Sequence, residues 1–401
     1  MSASELENAV EVIRGRVYYV PVRYAPRQTP DAHFFTTDNT LVYWNFFLDF
    51  GPLNLGQLYR FCQLLRTKIE DPSLAHKKIY YYSGTHSHRR ANSVFMICAF
   101  AVLYLGRTPE EAFTPFRRMR FTPFHDASPC VCTYHLTILD CLRGLFKARA
   151  AKFFDFDTFD VEEYEHFEKV EEGDLNWLVD GRFLAFAGPH DTRVNSLEGY
   201  TTLVPEDYIP YFQQKNVGLV VRLNKKYYDE NRFKQAGMNH VDMYYLDGSV
   251  PPEHLLQRFL QICEAEDRAI AVHCKAGLGR TGTCIGCYIM KHYKFTAAEV
   301  IGWIRICRPG SIIGPQQHYL RDMQARMWRE GEIYRQQLAK ETHGGGGFSY
   351  SMDGSDDGSI GGGREAYDAD GFSRYGNQAQ GDALRSRKSP KEKAANPYRF
   401  K

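Results

Sequence analysis

No stretch of this 401-residue chain carries the roughly 20 consecutive apolar residues that a membrane-spanning helix needs. The longest apolar run, Val94–Leu105, has 12 residues and reads as a buried helix. The opening MSASELENAVEVIRGR is polar and charged, so no secretory signal is expected. No charge of one sign dominates either, since 50 basic residues face 48 acidic ones and leave a net +2. The broad positive field behind non-specific nucleic-acid binding is missing, and neither nucleic acid nor membrane insertion is expected. The ten cysteines show no framework spacing, which excludes a small disulfide scaffold and fits reduced, buried thiols of an intracellular chain. Tryptophan is scarce at 4 residues, but 26 Tyr, 27 Phe and 43% apolar residues can fill sizeable cores. A chain disordered throughout is thereby excluded, and the length suits two domains.

Composition marks one boundary sharply. Residues 344–401 hold 12 of the 33 glycines and few apolar residues. Such a segment cannot bury enough surface to offset its ordering entropy, so 341–401 reads as a disordered, Gly-rich tail with a basic end. Residues 344–384 carry seven acids and two bases, whereas 385–401 carry seven bases and one acid.

The remainder alternates strand and helix patterns. In 1–155, strands are expected at 16–22, 41–47 and 78–83, and helices at 55–70, 90–105 and 133–150. In 176–340, strands are expected at 183–188, 217–224, 240–247 and 269–273. Helices there are expected at 206–215, 253–266, 283–291, 297–305 and 315–337. In the second of these helices Leu255, Leu256, Phe259, Leu260 and Cys263 form one apolar face. The alternation predicts an α/β protein, each domain a central sheet flanked by helices. An acidic stretch, 156–175, joins the halves as an expected linker helix. A weak internal repeat relates 99–117 to 287–305, with Thr108 matching Thr296 and Glu111 matching Glu299, and suggests duplication of one α/β unit.

Residues 270–283 read IAVHCKAGLGRTGT. An apolar strand runs into His273-Cys274, five residues follow, then Arg280 opens an apolar helix. A short strand-to-helix loop turns its backbone N–H groups into a concave nest. Gly277 and Gly279 permit close approach to an oxyanion, and the helix N-terminus adds positive field. Arg280 can grip two phosphate oxygens with its planar fork. The same field favours a thiolate at Cys274, an in-line nucleophile toward bound phosphorus. A proton donor for the leaving oxygen is then needed. Asp247, 27 residues before Cys274, opens the turn Asp247-Gly248-Ser249 at an expected strand end. Taken alone, Asp-Gly is an ordinary turn pair; beside the Cys loop it becomes the candidate acid.

These residues resemble the cysteine-dependent protein tyrosine phosphatase superfamily. The stretches EYEHFEKVEEGDLNW, AFAGPH, VVRLNKKYYD, DGSVPPE and WIRICRPGSIIGPQQHYL, with the loop itself, are similar to the cell-division-cycle-fourteen dual-specificity phosphatases over about residues 14–335. The resemblance implies two tandem dual-specificity-phosphatase-like domains, a non-catalytic 1–155 and a catalytic 176–340. It implies a phosphocysteine at Cys274, phosphate binding by Arg280 and acid–base work by Asp247. Thr281 would donate a hydrogen bond to the Cys274 sulfur, and Gln316 and Gln317 would position the hydrolytic water. His273 would orient a phosphate loop of Lys275, Ala276, Gly277, Leu278 and Gly279. No cofactor or metal is implied, and Cys284 and Cys287 read as core residues.

Substrates implied by the resemblance are phosphoproteins with Ser-Pro and a nearby Lys or Arg, and phosphotyrosine sites. Glu165, Glu168 and Asp174 match the positions of an acidic specificity groove. Roles in the cell cycle, cytokinesis or cilia follow at family level, with nucleus, cytoplasm, centrosome, spindle or ciliary base as location; a homodimer is left open. In the first domain, Ser83 and Arg89 keep the Cys-to-Arg spacing without a Cys, so no catalysis is expected there. Ser389-Pro390 in the tail resembles a proline-directed kinase site, and phosphorylated Ser389 is a candidate pseudosubstrate. Two other readings compete. A phosphoinositide phosphatase of the phosphatase-and-tensin type would carry Lys at Leu278. A pseudoenzyme scaffold would lack Cys274, Asp247 or Arg280, and all three are present.

Overall fold

The structure is a computed structural model that describes residues 8–195, 199–343 and 380–388. Nine strands are described: β1 Val10–Ile13, β2 Val17–Val22, β3 Ala32–Phe35, β4 Lys78–Gly84, β5 Leu175–Val179, β6 Phe183–Ala187, β7 Val217–Arg222, β8 Asn239–Asp242 and β9 Ala269–Cys274. They form one sheet of order β1-β2-β4-β3 and a second of order β5-β6-β9-β7-β8. Each sheet has one antiparallel edge pair, β1/β2 or β5/β6, and is otherwise parallel. Parallel strands need helical crossovers, and helices accordingly cover both sheets.

The two halves repeat one plan. β4 leads through a short loop into helix Ser87–Tyr104, and β9 leads into helix Gly279–Tyr293. The next helix in each half opens with a capping box: Thr108 with Glu111, and Thr296 with Glu299. In both, the Thr hydroxyl accepts the Glu backbone N–H while the Glu carboxylate accepts the Thr backbone N–H. The sequence repeat is therefore a repeat of helix starts. Val94–Leu103 is buried throughout, as expected of a core helix rather than a membrane span. No helix of the described residues is long and apolar enough to cross a membrane.

Several expected elements differ. The stretch 41–47 is a loop, because Asp49 Oδ1 accepts the backbone N–H groups of Phe46 and Phe47 and curls the chain. The expected strand 240–247 ends at Asp242, and the helix expected from 133 starts at Ile138, capped by Thr137. The acidic linker is helical only over Val161–Phe167; Asp174 turns at φ 48°, and Leu175 already pairs in the second sheet. The tail, expected to be disordered, contains a helix, Gln380–Arg387. Ser389 lies outside the described residues.

One apolar core crosses from the first half into the second, joining Phe61 and Leu145 to Trp303 and Ile304. Helix Ile138–Ala150 packs on helix Ala297–Cys307 at unusually close range. A Cβ on Gly144 would lie 2.3 Å from the Glu299 carbonyl oxygen, and one on Gly302 2.9 Å from Cys141 Cα. Trp303 Nε1 donates to Leu178 O at 2.8 Å and ties the second of these helices to β5. A side chain at either glycine must push the helices apart. We expect Gly144→Val to lower unfolding free energy by about 1–3 kcal/mol, the usual cost of overpacking, despite a better helix former; denaturant midpoints measure it.

Candidate active site

β9 ends at Cys274, in the middle of its sheet between β6 and β7. The loop after it therefore sits at the carboxyl ends of parallel strands, where α/β sheets leave a crevice. Cys274 is 3% exposed. Gly277 has φ 66°, and a Cβ there would lie 2.0 Å from Phe186 O, so both conformation and space require glycine. Gly279 begins the following helix, directing its free backbone N–H groups at the loop.

Arg280 is fixed by carbonyls and one carboxylate. Its Nη1 donates to Tyr245 O at 3.0 Å, and its Nη2 lies 2.9 Å from Asp247 Oδ1. Its Nε is buried without a hydrogen-bond partner among the described residues. A buried guanidinium donor left over in this way fits an anion-binding loop, since such a group is costly unless a ligand meets it. Asp247 is thus brought to Arg280 from a loop rather than from a strand end, with Gly248 at φ 76° completing its turn.

The remaining predicted residues divide. Gln316 reaches both loops: a Cβ on Gly279 would lie 2.8 Å from its Oε1, and its Nε2 donates to Ser249 O at 3.1 Å. Gln317 turns away, its Oε1 accepting from Arg305 at 2.8 Å. The hydroxyl of Thr281 is buried without a partner among the described residues, so the expected bond to the Cys274 sulfur is not made. Cys284 and Cys287 are buried free thiols on the helix, each pushed up by burial. Outside the cleft His125, Asp126 and Cys132 form the one cluster of metal-ligand types among the described residues. Its groups already bind one another and the chain: His125 Nε2 accepts from Cys132 N, and Asp126 Oδ2 from Gly314 N.

His273 is fully buried behind the loop. Its Nδ1 lies 2.9 Å from Cys274 O, and its Nε2 2.7 Å from the Tyr228 hydroxyl, which also reaches His240 Nε2 at 2.9 Å. Burial holds both imidazoles below the usual range, His240 down to about 4. Arg308 completes the support. Its guanidinium donates to Gly277 O, Ala276 O, Asn176 Oδ1 and Asp174 Oδ1, all at 2.7–3.0 Å. Tyr228, His240 and Arg308 escaped sequence reasoning. Tyr228 lies within VVRLNKKYYD and Arg308 within WIRICRPGSIIGPQQHYL, but neither was given a role there.

Glu165, Glu168 and Asp174 line one cavity of about 480 Å³ beside the loop, together with Tyr43 and Trp44 of the first half. Their charges are already engaged. Arg60 grips Glu165 with two bonds at 3.0 and 2.8 Å, Asn54 donates to Glu168 at 2.9 Å, and Asp174 faces Arg308. In the first half, Ser83 is buried and bonded to the Tyr19 hydroxyl. Asp38 Oδ2 accepts Gly84 N–H at 2.7 Å and lies 3.4 Å from Arg89. A carboxylate of the chain itself thus sits where that loop would take an anion.

The buried histidines set a pH response. An unfolded chain protonates His240 near 6.5, whereas the fold resists until about 4. Stability contributed by neutral His240 is present above pH 6.5 and lost as pH falls toward 4. We expect the denaturant midpoint to drop from pH 7 to 4.5, and the drop to shrink in His240→Gln.

Comparison with known proteins extends the geometry. Residues 11–148 match a model described as "Dual specificity protein phosphatase, N-terminal half", and 196–294 match "Polymorphic toxin system, DSP-PTPase phosphatase". Human dual specificity protein phosphatase CDC14A is 48% identical over 409 residues, covering 98% of this chain and 69% of that one. Mouse CDC14B is 45% identical, covering 95% and 81%. Tyrosine-protein phosphatase CDC14 of Saccharomyces cerevisiae is 37% identical, covering 81% and 61%. With this identity across both halves, the chain belongs to the CDC14 family of dual-specificity protein phosphatases.

Proposed function

We propose that the cleft hydrolyses phosphoserine-proline sites followed by a Lys or Arg, and phosphotyrosine sites, through a phosphocysteine. The observation that carries this is the meeting of Cys274, Arg280 and Asp247 at the end of β9, with Arg280 2.9 Å from Asp247. The Cys274 thiolate attacks phosphorus as the phosphorus–oxygen bond breaks, and Asp247 gives its proton to the leaving oxygen. Arg280 and the loop N–H groups hold the equatorial oxygens. Water then attacks phosphorus, its proton passes to Asp247, and the thiolate leaves with release of phosphate. Gln316, packed against Gly279, is the better placed of the two glutamines to orient that water. His273, bonded to Cys274 O, holds the loop.

The groove beside the loop is the proposed reader of the substrate cation, with Glu168 and Asp174 as its carboxylates. Glu165, bound twice by Arg60, contributes less. We extend the reading to control of cell division, cytokinesis or cilium-associated cytoskeleton, in nucleus or cytoplasm. A phosphoinositide preference is disfavoured by Leu278, which is buried against Ala276 and supplies no charge.

Initial rates on paired phosphopeptides test it: pSer-Pro-x-Lys, the Pro→Ala and Lys→Ala versions, and an inositol trisphosphate control. We expect the first to lead and Glu168→Ala to erase the Lys advantage. Asp247→Asn should slow alkyl esters by roughly 10²–10⁴, the usual span of general acid catalysis. Cys274→Ser should abolish turnover while keeping peptide binding. Turnover of the inositol phosphate alone would overturn the substrate class.

A further inference from the structure

Three large apolar side chains stand exposed on the β7/β8 side of the Cys274 loop. Tyr244 (47% exposed) and Leu246 (51%) alternate with Met243 (1%) and Tyr245 (4%), the period of an extended segment that buries one face. The backbone there is held. Met243 N–H donates to Arg222 O at 2.9 Å, and Tyr245 N–H to Leu223 O at 3.4 Å. Tyr245 ties the segment to the cleft, its carbonyl accepting from Arg280 Nη1 at 3.0 Å and its hydroxyl donating to Arg280 O at 3.2 Å. Tyr244 and Leu246 therefore face outward directly before Asp247. The third side chain, Tyr227, is 48% exposed in the loop after β7, with Lys275 Nζ 5.5 Å from its ring centre. Single exposed apolar residues need no explanation, but a group at the lip of one cleft marks a contact surface.

Strand order says what crosses that surface. Cys274 ends β9, the middle strand of β5-β6-β9-β7-β8. Asp174 stands directly before Leu175, which pairs with Phe186, which pairs in turn with His273. The groove carboxylate thus lies two strand positions from Cys274, about 10 Å at roughly 4.8 Å per strand. Arg222 pairs with both His273 and Asp242, so the end of β8 lies two positions away on the opposite side, again about 10 Å. An extended peptide advances about 3.3 Å per residue, so each side lies about three residues from a phosphoserine above Cys274. That span fits pSer-Pro-x-Lys, whose Lys is third after the phosphoresidue. A chain that sends its carboxyl-terminal flank into the groove leads its amino-terminal flank over the ends of β7 and β8.

We propose that Tyr227, Tyr244 and Leu246 form a second specificity surface, which binds apolar side chains two or three residues before the phosphoserine. The proposal deepens the Ser-Pro-Lys reading and rests on it for the direction of the peptide. Two aromatic rings and a branched aliphatic group on a fixed backbone supply contact area without the cost of ordering a loop. A cation is disfavoured at the same place. Lys275 already occupies the face of Tyr227, and Lys225 is exposed in the same loop. The two flanks of the substrate are then read by opposite chemistry: carboxylates after the phosphoresidue, aromatic and aliphatic carbon before it.

The full-length chain and a set of phosphopeptides test this. Each peptide carries pSer-Pro-x-Lys, preceded at the second and third positions before the phosphoserine by Leu, by Ala or by Lys. The expected kcat/KM is at least threefold higher for Leu than for Ala, through a lower KM, and lowest for Lys. Tyr227→Ala and Tyr244→Ala change exposed side chains outside the reacting groups, so the fold is kept. Each should reduce the Leu advantage, and the double variant should bring it below twofold. Turnover of p-nitrophenyl phosphate, which has no flanks, and the advantage of the Lys after the phosphoserine should be unchanged. Leu and Ala peptides within twofold of each other in the wild-type chain, or a Leu advantage that survives the double variant, overturn the proposal and leave the groove reading standing. A Leu advantage that the double variant removes, without any advantage of the Lys after the phosphoserine, keeps the surface and removes the groove.

Discussion

The buried fork of Arg308 ties the loop after Cys274 to the start of the second sheet. One guanidinium donates to two carbonyls of the loop after β9, Gly277 O and Ala276 O, and to Asn176 and Asp174 at the start of the second sheet. A loop whose N–H groups must all face inward leaves its carbonyls pointing out, where they need donors. Arg308 supplies these donors, and its planar shape fixes several at once. Its own charge is balanced by Asp174, 4% exposed. Breaking such a pair leaves an uncompensated buried charge, so the Cys274 loop and the groove are coupled.

A second layer of support stands behind β9. The chain His240, Tyr228, His273 and Cys274 O runs from the edge strand β8 to the carbonyl of Cys274. Burial keeps both imidazoles neutral, so the network holds position without placing another charge beside Arg280. The groove is built on the same rule. Arg60 occupies Glu165, and Asn54 orients Glu168, so its acidic character is set by helix Leu55–Glu70 of the other half. The close seam at Gly144 and Gly302 joins helix Ile138–Ala150 of the first half to helix Ala297–Cys307 of the second.

Duplication and divergence are both visible. The two halves share an edge hairpin, a central strand, a loop and a helix, followed by the same Thr–Glu capping box. In the first half Asp38 accepts the Gly84 N–H, and burial pushes its carboxyl up. That loop has an acceptor of its own and serves architecture. The tail helix does something comparable in the second half, meeting Asp247, Lys275 and Asp174 with groups of the chain itself.

Much of this was legible in one dimension. The loop Cys274–Arg280, its glycines, the repeat and the long amphipathic helices depend on local spacing and turn chemistry, which neighbours in sequence decide. So does the alternation that gives an α/β fold. Short strands such as β1 and β3 were not legible, because four residues of edge strand are defined by their partners. The loop at 41–47 looked like a strand because its aromatics face the cleft rather than a sheet. Gln316 and Gln317 are adjacent and chemically identical, yet only packing sends one to Gly279 and the other to Arg305. Gln380–Arg387 lies within a glycine-rich tail, and its contacts with Asp247, Lys275 and the loop are distant in sequence. The sequence by itself determined which groups can do the chemistry, since reactivity resides in residue type and short spacing. Tertiary structure alone decided which groups are engaged, since hydrogen bonds and ion pairs between remote segments exist only once both sheets have packed.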